Sequence, residues 1–475
     1  MSKIEVNAIE PQCGTNLTVG ASGDTITFPS GTTVVNNGTQ TGFGRTGTVD
    51  WDTTPKTATF TGVSGNGYFV NTSGGVITVN LPASPSAGDI VAVADYAGTS
   101  DTNAITIGRN GSNINGAAAD LTIEIENSAV TLVYVDGTQG WKATDTASLS
   151  DVEVQPAYVA ATGGTITCSG NFKIHTFTGP GTFQVTCAGN ASGSNTVDYL
   201  VVAGGASGGK GNAAGGGGGG AGGLRVSPGT ASGCWTASPL GASPAVALPV
   251  SAQPYSITVG GGGAGQTAQG NAGLNGNTST FSTITSAGGG AGGAHCNAAV
   301  AGGSGGGGVP LDAPRRPAGA GNTPPVNPAQ GNPGGTGTPS AGGGYPSGGG
   351  GGAIANGQNG LSPNCNTGGA GGAGAQINIC GNNHYWSGGG AGSAWAGQTG
   401  GAGGIGGGGG AAGPGGGGAG GASAKSSGAA GTPSSGGAGG TNTGSGGGGG
   451  NAAIACQTSG AGGSGIVIIR YKFQN

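Results

Sequence analysis

Apolar positions fall in short runs that alternate with polar ones, and turn residues separate them. Val76-Ile-Thr-Val79, Ile90-Val-Ala-Val93, Ile105-Thr-Ile107, Leu121-Thr-Ile-Glu-Ile125 and Val130-Thr-Leu-Val-Tyr-Val135 all read as strands. Asp136-Gly137 predicts a tight hairpin turn with positive φ at both central positions, returning the chain through Trp141. Residues 46–148 are therefore expected to form a compact β module. Upstream, Leu17-Thr-Val19, Ile26-Thr-Phe28 and Val34-Val35 recur between turn signals. Each is too short for a core of its own, so residues 1–45 predict a stem wound with copies of itself, with a floppy N-terminal arm as the bland alternative. Downstream, residues 149–200 predict a β-hairpin unit. Phe172-Lys-Ile-His-Thr-Phe177 and Thr182-Phe-Gln-Val185 flank Gly179-Pro180-Gly181, a type II turn signature. His175 reads as a strand-face residue rather than a ligand.

Residues 201–475 break this pattern. They hold 94 of the chain's 121 glycines, in runs such as 215–220, 406–410 and 446–450. Two strongly apolar strands bracket the tract: Val197-Asp-Tyr-Leu-Val-Val-Ala203 and Gly465-Ile-Val-Ile-Ile-Arg-Tyr-Lys-Phe473. They predict a clasp that pairs in one sheet. Tyr255-Ser-Ile-Thr-Val259 and Thr280-Phe-Ser-Thr-Ile284 interrupt the tract, and a flexible linker would not need them. The alternative to a linker is polyglycine II, an extended helix of about three residues per turn. Packed side by side, such helices bond through outward N–H and C=O groups and leave no room for side chains. The expected fold is thus all-β plus polyglycine II: a β stem, compact β module(s), and a C-terminal helix bundle clasped by strands.

Charge narrows the chemistry. Residues 1–200 hold 16 acids and 6 bases; residues 201–475 hold one acid, Asp312, and 7 bases. Catalysis by paired carboxylates is excluded from the tract. No nucleophile elbow or phosphate loop stands out, because glycine matches such patterns by chance. No enzyme activity and no cofactor are expected. Basic residues are too dilute for nucleic acid. Met1-Ser-Lys-Ile-Glu leads into polar residues, so no secretory segment is expected, and no run is long enough to span a membrane.

The segments at 227–256, 294–347 and 353–396 read as insertions between glycine runs. Aromatic side chains do not fit inside such a lattice, so these segments are expected at its ends or faces. Trp235, Arg315, Arg316, Tyr345, His384, Tyr385, Trp386 and Trp395 are the binding candidates, and the stretch 384–395 is the strongest. Covering the lattice ends is the bland alternative. The eight cysteines are either small buried apolar residues or partners in disulfides formed after release. Cys168 and Cys187 would face each other across the expected hairpin. His295-Cys296 and Cys380-x3-His384 lack the paired spacing of structural zinc sites, so no metal is expected.

The chain resembles bacteriophage tail-fibre proteins, particularly those of marine phages. The resemblance rests on Met1-Ser-Lys-Ile-Glu-Val-Asn-Ala-Ile-Glu-Pro11, Gly20-Ala-Ser-Gly-Asp-Thr-Ile-Thr-Phe-Pro-Ser-Gly31, Leu81-Pro-Ala-Ser-Pro-Ser-Ala-Gly-Asp-Ile-Val-Ala-Val-Ala94, and Gly137-Thr-Gln-Gly-Trp141. A glycine-rich phage-fibre domain is resembled by His175-Thr-Phe-Thr-Gly-Pro-Gly-Thr-Phe183, Tyr199-Leu-Val-Val-Ala-Gly-Gly205 and Gly463-Ser-Gly-Ile-Val-Ile-Ile-Arg-Tyr471. The family implies a homotrimeric virion protein, assembled in the host cytoplasm and exposed outside. Its N-terminus would join the tail or an adaptor protein. Its tip would contact a host surface glycan or outer-membrane protein. A structural spacer or virion decoration is the second reading, and a polyglycine ice-binding protein the third.

Overall fold

The computed structural model describes residues 49–146, 153–154, 156–212, 214–229, 240, 247–295, 297–310, 317–339, 345–361, 367–451 and 457–474, with single residues 19, 25 and 27. The stem expected at 1–45 lies outside the described residues, apart from those three. The described chain is all-β, with one 3-10 turn at Thr72–Gly74. Among the described residues no helix is long and apolar enough to cross a membrane.

The first unit contains β1 (Asp50–Lys56), β2 (Phe60–Thr61), β3 (Asn66–Val70), β4 (Ile77–Asn80), β5 (Ile90–Asp95), β6 (Ile105–Gly108), β7 (Leu121–Ile123), β8 (Ala129–Asp136), β9 (Gly140–Thr146) and β10 (Glu153–Val154). Two five-stranded sheets form, ordered β1-β3-β5-β8-β9 and β10-β7-β6-β4-β2. Successive strands from β1 to β6 alternate between the sheets and pair in parallel with the strand two before. Alternation along each strand then sends one set of side chains into the shared core, including Val70, Val79, Val93, Ile107, Leu132 and Trp141. The β8–β9 hairpin forms, but not through the expected turn. Gly140, not Gly137, takes the left-handed conformation (φ 69°). The Asp136 carboxylate accepts the N–H groups of Thr138 (2.8 Å) and Gln139 (2.6 Å), which opens the loop.

The second unit contains β11 (Val159–Thr162), β12 (Thr165–Ser169), β13 (Phe172–Phe177), β14 (Gly181–Ala188), β15 (Thr196–Val202), β16 (Leu224–Val226), β17 (Leu248–Pro249), β18 (Pro254–Thr258), β19 (Ser279–Phe281), β20 (Ile284–Ser286), β21 (Ala375–Ile377), β22 (His384–Trp386) and β23 (Ile466–Lys472). One sheet runs β11-β14-β18-β19-β20; the other runs β12-β13-β23-β15-β16, with β17 beside β15. Strands from both sides of residue 200 complete both sheets.

The clasp pairs. β15 and β23 run antiparallel, with Asp198 opposite Arg470 and Val202 opposite Ile466. Their apolar runs are continuous because both faces of the sheet are covered. Val197, Tyr199, Val201, Val467, Ile469 and Tyr471 enter the core shared with the facing sheet. Leu200, Val202, Ile466 and Ile468 face the β21–β22 hairpin, against Ile377, Ile379 and Trp386.

The hairpin expected around Gly179-Pro180-Gly181 is not formed. β13 pairs β12 and β23, whereas β14 pairs β11 and β18. Gly181 is the first residue of the extended strand β14, so the chain turns a corner between sheets and sends Phe177 and Phe183 into one core. Cys168 and Cys187 therefore lie in different sheets, and both are exposed free thiols. A bulge at Ala160/Ala161 also sets Cys187 opposite Ala160.

The glycine runs form an ordered hydrogen-bonded array. Residues 215–223 occupy its middle. The N–H groups of Gly217, Gly220 and Gly223 donate to Gly293, Gly290 and Ala287; those of Gly218 and Ala221 donate to Gly348 and Gly351; those of Gly219 and Gly222 donate to Gly447 and Gly444. The carbonyls accept in the same rotation: Gly217, Gly220 and Gly223 from Gly209, Ala206 and Ala203; Gly218 and Ala221 from Gly307 and Ser304; Gly216 and Gly219 from Ser393 and Gly390. All these bonds lie within 2.8–3.1 Å. Every third residue thus meets the same neighbour, and six runs surround this one. Buried backbone groups are satisfied without sheet geometry.

Steric room explains the composition. A Cβ at Gly217, Gly218, Gly219 or Gly220 would overlap the carbonyl oxygen of Gly307, Gly390, Ala206 or Ser304. The supposed insertions are not wholly loops. Gly305–Gly308, Gly334–Gly335, Gly348–Gly351 and Gly388–Gly392 carry array hydrogen bonds from inside 294–347 and 353–396 or beside them.

Candidate functional site

Each glycine run crosses the array from the clasp to its opposite end, and the next returns. The clasp end is defined by bonds such as Ala203 N to Gly223 O, Gly444 N to Ser464 O and Gly465 N to Gly260 O. The far end is defined by the contacts around Lys210, Gly215, Ser347, Ser393 and Gly450. There Gly211 and Gly216 both donate to Gly450 O, and Ser347 N donates to Ser393 O at 2.9 Å. The Ser347 hydroxyl donates to Gly215 O (2.8 Å), and the Asn451 amide donates to Ala394 O (2.7 Å).

This topology splits the expected aromatic site. His384, Tyr385 and Trp386 precede a crossing run, at the clasp end; Trp395 follows the same run, at the far end. Trp386 is fully buried, and its Nε1 donates to Ile377 O at 3.2 Å. It fills the core under β15 and β23 and has no surface to offer a receptor, which corrects its assignment as a binding residue. A short hairpin made this possible: β21 and β22 lift the ring out of the glycine array and into an ordinary apolar core. His384 packs edge-on against Trp386 at 5.5 Å. Burial, and then the Lys425 charge, hold its imidazole below the usual histidine range. Tyr385 is half-buried, and its carbonyl accepts the Ser423 hydroxyl (2.9 Å).

Trp395 and Tyr345 both lie at the far end. They lie two residues beyond the Ser393–Ser347 rung on adjacent antiparallel runs, and both are half-buried. Ala396 (φ 53°) and Gly397 (φ 79°) reverse the chain after Trp395, and Tyr345 itself sits at φ 36°. Trp235, Arg315 and Arg316 lie outside the described residues.

Composition missed Lys210. It is fully buried, and its ammonium donates to the carbonyls of Thr267 (2.7 Å) and Gln457. Its backbone joins Asn271 and Gly270 as well. One side chain thus ties together two far-end turns. The available signal was a charged residue flanked by glycines in a nearly uncharged tract.

Among the described residues no cluster of three or more His, Cys, Asp or Glu side chains is placed to hold a metal. Cys380 is a partly buried free thiol whose Sγ contacts Asn382 O at 3.6 Å.

A profile of a glycine-rich domain family matches residues 176–433. The chain belongs to this glycine-rich domain family. The match begins in β13 and ends before β23, so the family region covers most of the array, while the strand that closes the clasp lies beyond it. No curated protein matches the chain.

Proposed function

We propose that this glycine-rich chain is a phage tail fibre: a structural virion protein that recognises the host through turns at the far end of its tip. The observation that carries the reading is the separation of the two ends. The clasp sheet fastens one end of the array to ordinary β cores, and the turns bearing Tyr345 and Trp395 emerge at the other. The rotation of bonds around 215–223 supports reading the tip as a polyglycine II bundle, since an interior helix of that kind has neighbours on every side. The resemblance of the N-terminal segments supports attachment to the tail or an adaptor protein there, and a homotrimer formed through the β units. The host component is a surface glycan or an outer-membrane protein. The near absence of acids beyond residue 200 favours binding over catalysis.

Electron microscopy of particles labelled with an antibody against the 395–399 turn tests this. Label at the host-contacting tip of a fibre is expected. Label on the capsid, or another protein at the tip, would point to decoration or a spacer and overturn the proposal.

A further inference from the structure

β23 is the middle strand of its sheet, yet it follows every glycine run in the chain. Val467 pairs Phe177 on one side and Val201 on the other; Ile469 pairs His175 and Tyr199. Its side chains alternate between two cores. Val467, Ile469 and Tyr471 enter the core between the sheets, whereas Ile466 and Ile468 enter the core under the β21–β22 hairpin. Without β23, β13 and β15 would be unpaired edges and each core would lose a wall.

The strand is continuous with the array. Residues 458–465 form the run that leads into it, and this run bonds four others. Gly205 and Gly208 donate to Gly463 and Gly460; Gly436 and Gly439 donate to Thr458 and Ala461. In return Gly460 and Gly463 donate to Gly448 and Ser445, and Ser459, Gly462 and Gly465 donate to Gln266, Gly263 and Gly260. The first run of the array is thereby joined to the last ones. Little else holds them. Among the described residues, the apolar side chains buried along the glycine runs are alanines, apart from Val309. Glycine also gives up more backbone freedom on folding than any other residue. A displaced run would leave buried N–H groups unpaired on each neighbour. The apolar burial that offsets these costs is concentrated in the clasp.

We infer that β23 is a latch for the whole array: the runs stay ordered only while it sits between β13 and β15. The openings are nested. A far-end turn can loosen with the clasp shut, but an open clasp releases the run 458–465 and, through it, the first and last runs. Every run is also synthesised before the strand that closes it, so the far-end turns take shape only once β23 is in place. The device is independent of what the far end touches.

Native-state hydrogen exchange of the full chain tests this, and the order of protection is the readout. Ile468→Ala removes a buried side chain from the clasp. It should speed exchange in β23 roughly thirtyfold or more, and by the same factor at array amides that were as slow. Ile468→Asp, which puts a carboxylate in that core, opens the clasp fully if the smaller change does not. Amides of 215–223 and 444–450 should then lose protection with β23, while β5 and β8 of the first unit keep theirs. Lys210→Met should instead leave 264–271 and 457–460 less protected than β23. An array run that stays more protected than β23 in either Ile468 variant would overturn the latch. So would Lys210→Met lowering β23 to the level of the far-end turns, because the coupling would then be uniform.

Discussion

His175 Nε2 lies 3.0 Å from the hydroxyl of Tyr471, 296 residues away in the chain. The other ring nitrogen, Nδ1, is 2.7 Å from Gly163 O. A carbonyl can only accept, so Nδ1 carries the proton and Nε2 accepts from Tyr471. The imidazole is neutral, buried, and stacked on the Tyr471 ring at 5.5 Å. One neutral pair therefore locks β13 to β23, and through β23 to β15.

Stability should fall at both ends of the pH range. Burial holds His175 below its ordinary value of 6.5, so the unfolded chain binds a proton that the fold refuses. Stability is full above pH 6.5 and declines as pH drops toward the folded value. Burial pushes Tyr471 from 10.0 up to about 12, so stability declines as pH rises between those values. Thermal unfolding across pH should show a plateau between the two declines. Tyr471→Phe should shrink the alkaline decline and, by stranding Nε2, cost about 1–3 kcal/mol near neutrality. A flat profile would refute the neutral pair. His384, also lowered, leaves part of the acid decline in any His175 variant.

Glycine in the array is required for space. Gly218→Ala and Gly219→Ala place a Cβ against backbone oxygens that cannot rotate away. Each should destabilise by about 1–3 kcal/mol or prevent folding. Gly74→Ala, where an added Cβ meets nothing within 4 Å, should be nearly neutral. Denaturant unfolding of the three variants makes the comparison.

The two tryptophans at the ends of one run should behave unequally. Trp386→Ala removes a buried ring and should cost about 3–5 kcal/mol. Trp395→Ala removes a ring that is only partly buried and should cost clearly less, about 1–2 kcal/mol. Unfolding midpoints measure both. Similar losses would contradict their placement at opposite ends.

Lys210→Met keeps most of the volume and removes the ammonium. The Thr267 and Gln457 carbonyls then lose a charged donor, at a cost of about 1.5–3 kcal/mol. Hydrogen exchange should quicken at 264–271 and 457–460, while β15 and β23 stay protected. Uniform change across the chain would argue against a local tie.

Cys168 and Cys187 should both react with a maleimide in the folded, unreduced protein, because both thiols are exposed and lie in separate sheets. A mass gain only after reduction would restore the disulfide.

Much of this was legible along the chain. Alternation marked the strands of the first unit, and the two apolar runs at 197–203 and 465–473 marked the clasp. Period-two patterns survive in sequence because a sheet sorts side chains locally. The corner at Gly179-Pro180-Gly181 was not legible, since the same residues suit a hairpin or a change of sheet. Nor was the place of Trp386. Its neighbours in sequence are glycine-rich, but its neighbours in space are Ile377 and the clasp strands.

The sequence by itself determined that most of the tract could carry no side chains inside, because glycine there is a composition and needs no contact map. It also determined which strands bracket the tract. Only the tertiary structure decided where each run lies, since runs of near-identical glycine carry no information about their partners. Pairing is set by chain reversal and by complete satisfaction of backbone hydrogen bonds. Those two constraints send Trp386 into a core, leave Trp395 with Tyr345 at the open end, and bury one lysine between two turns.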